Sequence, residues 1–384
     1  MRIAIDLTSL FPPATGTGNY AHALLHELLH LDPINHYALL LHASHGNLPQ
    51  ALETLTASTE RVEVRRSHWN PSWLHRTWRA LHWPSLEKLA GSEVDILHLP
   101  TPGPLPPAQD RTRFVMTLSE LNVLRTSGVA AEAQQVQLRE WLNRCAAILC
   151  HTHFIRNEAV TKLGIDPNRL HVAPLGVDTQ RFHPLEDNVA HELVRRDGPL
   201  LPQSFFLVVG SSTMHQENLK HLFSAYHLLK KKMQDPPKIV CVGHMDSATL
   251  SHAQKSATNA KLHEDVFFVG RVPPDLLAAF YNLAVACVAP DAYAGHGMHL
   301  LEAMACGAPV IASSIEPFRE TAANAPLYVS PDAPEEMANA LQTVASSPAC
   351  QVELRKRGLE HAYTHSWHEC ARKTLAAYES AAQS

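Results

Sequence analysis

Pro290-Asp291-Ala292-Tyr293-Ala294-Gly295-His296-Gly297-Met298-His299-Leu300-Leu301-Glu302-Ala303-Met304-Ala305-Cys306-Gly307-Ala308-Pro309-Val310 begins where one apolar strand pattern, Val285–Ala289, stops. It ends where another, Val310–Ala312, starts. Gly295 and Gly297, with His296 between them, lead into a helix at Met298–Cys306, and Gly307 closes it. Glycine lets backbone N–H groups approach an anion, and the helix N-terminus adds positive partial charge. Glu302 lies one to two turns in, where it can accept hydrogen bonds from ribose hydroxyls, as an acidic residue does in dinucleotide folds. Strand, glycine loop, helix, strand is the repeating unit of a doubly wound parallel sheet.

The same alternation extends both ways. Downstream of residue 204 the strand patterns are Phe205–Gly210, Lys238–Val242, Val266–Val269, Val285–Ala289, Val310–Ala312 and Leu327–Val329, with helical stretches such as Asn218–Met233 and Asp275–Leu283 between them. Upstream they are Arg2–Asp6, Tyr37–Leu41, Val62–Arg65, Ile96–Leu99, Arg113–Leu118, Ala147–His151 and Leu170–Ala173, with helices at Tyr20–Leu31 and Glu132–Arg144. Right-handed βαβ crossovers turn each half into a Rossmann-like α/β domain. A chain of 384 residues has room for two such domains. We expect domains at 1–184 and 205–366, a linker at 185–204 where Pro, Asp and Glu replace the strand pattern, and a last helix over 367–384. No strand follows that helix, which leaves it to pack back on the first domain.

Composition excludes several functions. Hydrophobic residues make up 45% and charged residues 18%, as in soluble globular proteins. The net charge of −5 argues against a nucleic-acid partner. The opening MRIAIDL reads as a strand rather than a signal peptide, and no apolar run reaches the roughly 18–20 residues of a spanning helix. A cytoplasmic location is the expectation. Seven scattered cysteines without CxxC pairs read as reduced thiols rather than a disulfide or zinc framework.

Other segments carry weaker signals. Thr15-Gly16-Thr17-Gly18-Asn19-Tyr20 places two glycines before an apolar helix but lacks the third glycine of the dinucleotide fingerprint. His151 and His153 would suit a metal only if further ligands converged. Lys230-Lys231-Lys232 complements a helix dipole. Trp69, Trp73, Trp78 and Trp83 fall among Arg65, Arg66, Arg76 and Arg79; such a stretch is either part of the first-domain core or a site that docks at an anionic membrane.

Taken together, these segments resemble the retaining GT-B glycosyltransferases of family 4, which include sucrose synthases and many bacterial mannosyl- and glucosyltransferases. The resemblance runs from MRIAIDL and TGTGNYAHALL through Ile96-Leu97-His98-Leu99-Pro100, Pro174-Leu175-Gly176-Val177-Asp178 and Val269-Gly270-Arg271-Val272-Pro273 to Leu301-Glu302-Ala303-Met304-Ala305-Cys306-Gly307. It implies a GT-B architecture, two Rossmann-like domains facing across a cleft. It implies a nucleoside diphosphate sugar as donor, a saccharide or lipid-linked saccharide as acceptor, and no metal or other cofactor. By resemblance Gly295, Gly297 and Met298 would offer backbone to the donor and Glu302 would hold its ribose. Gly270, Arg271 and Val272 would line the base, with Gly210 after the first strand of that domain. Gly16 and Gly18 would face the diphosphate from the first domain. A lipid-linked acceptor would place the protein at the inner face of the membrane.

The sequence departs from the family at three places. The family's sugar-side glutamate falls at Ala294, leaving His296 or Asp291 as substitutes. The usual Arg-Lys pair that neutralises the diphosphate falls at Gln216 and Glu217. Unit charges about 4 Å apart are worth about 4 kcal/mol at an effective dielectric near 20, so the exchange weakens diphosphate binding unless His215 or Lys220 swings in. The first-domain histidine is replaced in Thr117-Leu118-Ser119-Glu120-Leu121, which leaves Ser119 and Glu120 as the catalytic candidates. Two readings follow: a transferase with a rewired site, or a catalytically degenerate GT-B protein acting as the partner or regulatory subunit of another. An epimerase or phosphorylase on the same scaffold fits the motifs less well.

Overall fold

The computed structural model describes residues 1–8, 16–42, 53, 56, 59–210 and 216–384. It divides into two compact units, Met1–Leu175 with Trp367–Ser384, and Gly176–Ser366. Each is built on one parallel sheet.

The first unit holds β1 (Arg2–Asp6), β2 (His36–His42), β3 (Val62–Ser67), β4 (Ile96–Leu99), β5 (Arg113–Leu118), β6 (Ala147–Cys150) and β7 (Leu170–Val172). They form one parallel sheet in the order β3-β2-β1-β4-β5-β6-β7. The register sets Ile3 against Tyr37 on one side and against Ile96 on the other. Helices cover both faces, so the inner strands carry near-continuous apolar runs instead of alternating ones, while the edge strand β3 carries Glu63, Arg65 and Arg66. Ala4, Leu97, Met116 and Ile148 share one core.

The second unit holds β8 (Phe205–Val209), β9 (Lys238–Val242), β10 (Val266–Gly270), β11 (Ala286–Ala289), β12 (Val310–Ser313) and β13 (Leu327–Val329) in the parallel order β10-β9-β8-β11-β12-β13. Its core joins Phe206 and Val208 to Leu222, Tyr226 and Leu341 from helices Gln216–Lys232 and Pro334–Ser346. Fully burying one such side chain contributes about 1.5–3 kcal/mol. Lys230, at the end of its helix, is tied down by the buried Asp265, which accepts from Lys230 Nζ at 2.6 Å and from Lys238 Nζ at 2.8 Å.

The segment expected to be a linker is structured. Helix Asp187–Asp197 occupies it, burying Ala190 and Val194 against helix Pro274–Leu283. The unit boundary falls earlier, at Leu175 and Gly176, than the expected end of the first domain at 184. Its apolar residues Val189, Ala190, Leu193 and Val194 recur at helical spacing, but they are set among charged residues that read as a linker.

The last helix, Trp367–Gln383, belongs to the first unit, where it packs on helix Gly16–Leu31 and on β4 to β7. A buried polar chain fixes it. Tyr20 and Thr117 share a hydroxyl hydrogen bond of 3.0 Å. Thr117 Oγ1 lies 2.8 Å from His98 Nε2, and His98 Nδ1 lies 2.6 Å from the Tyr378 hydroxyl. Burial pushes His98 down to about 3, so its ring is neutral and can donate from one nitrogen while accepting at the other.

Candidate functional site

Sheet topology marks where to look. In a doubly wound sheet the ligand crevice opens beyond the carboxyl ends of the strands where the winding reverses. In the second unit the chain winds from β8 out to β9 and β10, then returns to β11 on the other side of β8. The reversal therefore lies between β8 and β11, which pair through Ala286 with Phe206 and Cys287 with Leu207. Gly210 follows β8, and the Pro290–Met298 loop follows β11.

One side chain ties these two strand ends together. Asn218, buried at the start of helix Gln216–Lys232, accepts the Ala292 N–H on Oδ1 at 3.1 Å. Nothing in its sequence context marked Asn218 as a site residue. Of the residues expected beside it, His215 lies outside the described residues. Gln216 and Glu217 lie in the first turn of the helix, and Lys220 is exposed on it.

The glycine loop enters helix Met298–Ala305 with Gly297 at its N-cap. A Cβ at Gly297 would come within 3.0 Å of Leu300 Cδ1, so only glycine fits without a shift. The Met298 N–H donates to His296 Nδ1 at 3.3 Å, so the amide expected to face a phosphate already has a protein acceptor. Burial holds His296 down at about 4, and His299, edge-on to Phe318, at about 3. His299 Nε2 is buried without a hydrogen-bond partner among the described residues.

Glu302 is 8% exposed and accepts from the Tyr281 hydroxyl on Oε2 at 3.2 Å. Burial raises its carboxyl to about 7; the Tyr281 hydrogen bond and the Arg181 charge oppose that shift. Asp291 is fully buried, and its carboxylate oxygens hydrogen-bond to no other described residue, its own backbone N–H alone opposing the effect of burial. Burial drives it up to about 8, so at neutral pH it is mostly a neutral acid. Ala294 is buried beside it in sequence and offers only a methyl group.

Gly270 ends β10 in the left-handed region with φ of 79°, and Arg271 is exposed with Val272 half-buried after it. Gly210 has φ of 123°. A Cβ on its neighbour Gly243 would lie 2.9 Å from the Gly210 carbonyl, so the ends of β8 and β9 approach as closely as backbone allows.

In the first unit, Gly16 and Gly18 form the first turn of helix Gly16–Leu31 rather than a loop ahead of it; Gly18 is buried and Gly16 exposed. Ser119 is half-buried and Glu120 exposed just after β5. His151 is buried against the Tyr20 ring at 4.6 Å, with Nδ1 3.2 Å from the Ala173 carbonyl, while His153 starts the next helix. Among the described residues no group of three or more His, Cys, Asp or Glu is placed to hold a metal ion.

Comparison with known proteins adds the family. Residues 14–181 match Glycosyltransferase Family 4, and residues 193–364 match Glycosyl transferases group 1. The chain belongs to the GT-B glycosyltransferases. D-inositol 3-phosphate glycosyltransferase of Pseudarthrobacter chlorophenolicus is 24% identical to this glycosyltransferase over 87% of its chain and 76% of the relative. Sucrose-phosphate synthase from Thermosynechococcus elongatus has the same fold, with a TM-score of 0.73 and 19% identity over 99% of this chain and 98% of that one. Anabaena HepE, solved in complex with UDP and glucose, superposes with a TM-score of 0.68 and 15% identity, covering 99% of this chain and all of the other. No described helix of this glycosyltransferase is long and apolar enough to cross a membrane.

Proposed function

We propose that this glycosyltransferase moves a hexose, with retention at its anomeric carbon, from a nucleoside diphosphate sugar to a saccharide or lipid-linked saccharide during glycan synthesis. The observation that carries the reading is the position of Glu302: buried, bonded to Tyr281, and one turn inside a glycine-opened helix beside the strand reversal. Relatives named for glycosyl transfer, and a like-folded protein solved with UDP and glucose, support it.

In this reading Gly295 and Gly297 bring backbone N–H groups to the diphosphate, and the positive end of helix Met298–Ala305 stabilises the charge that grows on it as the sugar leaves. The bond from the anomeric carbon to the diphosphate oxygen breaks, and a bond to the acceptor oxygen forms. The acceptor's hydroxyl proton ends on the departing diphosphate or on solvent. Glu302 holds the ribose, and Gly270, Arg271 and Val272 line the base. Backbone amides and a helix end do without metal ions what a cation does elsewhere. Ser119 and Glu120 stand on the acceptor side. Asp291 and His296 line the place left by Ala294.

The test is transfer from a panel of UDP- and GDP-hexoses to mixed saccharide and lipid-linked acceptors, read as acceptor-dependent release of the diphosphate. Gln216→Arg with Glu217→Lys is run alongside. A rewired enzyme transfers sugar as wild type and gains little from the double substitution. No transfer by wild type, with nucleotide binding gained by the double variant, overturns the reading in favour of a degenerate scaffold.

A further inference from the structure

The segment Val64–Leu86 contains four arginines, four tryptophans and three histidines, and no Asp or Glu. Its centre is helix Pro71–Leu81, capped by Asn70, whose side chain accepts from Ser72 N–H. The helix has two distinct faces. Leu74 and Trp78 are buried, and the Trp78 indole donates to the Pro84 carbonyl at 3.0 Å, so this ring is core with its polar atom satisfied.

The other face has no such cover. Trp73 is 63% exposed there; Leu81, in line with Leu74 but at the end of the helix, is 68% exposed, and Trp69 and Trp83 on the flanking segments are 37% and 41% exposed. The last two rings meet edge to face at 5.2 Å, and Lys88 Nζ sits 4.8 Å from the Trp83 ring. Arg66, Arg76 and Arg79 are exposed around them. Among the described residues, neither Arg76 nor Arg79 enters an ion pair, and the two flanking carboxylates are engaged elsewhere, Glu63 by Arg2 and Arg65 and Glu87 by the Gln109 N–H. Arg79 and His82 also line an open groove of about 730 Å³, whose other residues include Trp141, Arg144 and the carboxylate of Glu140.

Single exposed apolar residues are ordinary, but several large ones clustered on one helix mark a contact surface. Indoles are amphipathic and settle where hydrocarbon meets headgroups, and unpaired arginines beside them favour an anionic surface. Arg76, three residues from Trp73 on the exposed side of the helix and outside any ion pair among the described residues, sets a positive charge beside that indole, which suits an anionic surface. We propose that helix Pro71–Leu81, with Trp69 and Trp83, docks the first unit onto an anionic lipid bilayer. The docking does not depend on the identity of the donor.

Flotation with vesicles tests it, using phosphatidylcholine alone and phosphatidylcholine mixed with phosphatidylglycerol. Wild type should float with the anionic vesicles, stay down with the neutral ones, and be released by high salt. Each removed cation should weaken binding roughly fivefold, so Arg76→Gln with Arg79→Gln should weaken it about twenty- to thirtyfold. Trp73→Ser with Leu81→Ser should weaken it by a comparable factor, with an unchanged circular dichroism spectrum because all four side chains are exposed. Failure to float with anionic vesicles overturns the proposal, as does wild-type binding by the arginine variant. So does a wild-type dimer that the Trp73→Ser, Leu81→Ser variant converts to monomer, since a second copy would then own this face. Sugar transfer is measured separately, so failure here leaves the transfer reading intact.

Discussion

The Tyr281 hydroxyl donates to Glu302 Oε2 across 3.2 Å, joining helix Pro274–Leu283 to the glycine-opened helix Met298–Ala305. Burial raises the Glu302 carboxyl to about 7, and this hydrogen bond is the first of two interactions that pull it back. Nucleotide affinity should therefore rise through neutral pH as the carboxylate forms. Glu302→Gln should lose about ten- to hundredfold in affinity, the worth of a charged hydrogen bond of about 1.5–3 kcal/mol. Tyr281→Phe should lose less and move the midpoint upward, because the carboxylate loses a donor. Titrations with UDP and GDP from pH 6 to 8.5 read both effects.

Asp291 gives a stability signature. Its carboxyl is raised from an ordinary 3.8 to about 8 by burial. Below about pH 4 it is protonated in both folded and unfolded chains and costs nothing. Between there and pH 8 the unfolded chain ionises while the folded one stays neutral, so stability falls as pH rises, by several kcal/mol in order of magnitude. Asp291→Asn cannot ionise. Urea unfolding should show the variant close to wild type at pH 4 and more stable at pH 8.5. The difference between the two proteins separates Asp291 from Glu302 and from His98, His296 and His299, whose lowered values add stability as pH rises toward the ordinary histidine range. A wild-type slope retained in full by the variant would assign the effect elsewhere.

His296 competes with a ligand for the Met298 N–H, which it holds at 3.3 Å. A phosphate oxygen that takes this amide must displace the imidazole. His296→Leu should remove the competitor and tighten diphosphate binding a few-fold, since a neutral hydrogen bond of this kind contributes about 0.5–1.5 kcal/mol. Calorimetry on the two proteins at one pH checks it.

Tyr378 ends the buried chain that runs through His98 and Thr117 to Tyr20. Tyr378→Phe leaves one His98 ring nitrogen without a partner in the core, which costs about 1–3 kcal/mol. The midpoint of thermal unfolding of the first unit should fall, and Thr117→Val should produce a similar loss that does not add fully to it.

Most of the thirteen strands among the described residues were legible because both faces of each sheet are covered, so the inner strands read as near-continuous apolar runs; the edge strand β3, with Glu63, Arg65 and Arg66, does not. Glu302 was legible for a related reason: a glycine loop, an acidic residue and a closing glycine follow one another within a single βαβ unit. The helix over Asp187–Asp197 was not, although Val189, Ala190, Leu193 and Val194 recur at helical spacing, because the Pro-, Asp- and Glu-rich stretch around them reads as a linker. Asn218 and Tyr281 were not legible either. Their partners, Ala292 and Glu302, lie 74 and 21 residues away, and only the strand order brings them together. The Trp-rich helix was legible only as two alternatives; Trp78 is core, as the first of them expects, and Trp73 is exposed.

A nucleoside diphosphate sugar should bind the second unit at the β8–β11 reversal. Isothermal titration of the full chain with UDP, GDP and their hexoses measures this, with Glu302→Gln as the paired sample. Saturable binding of one nucleotide family, weakened at least tenfold in the variant, is the expected result. No binding of any of them at millimolar concentration, or equal binding by wild type and variant, would contradict it.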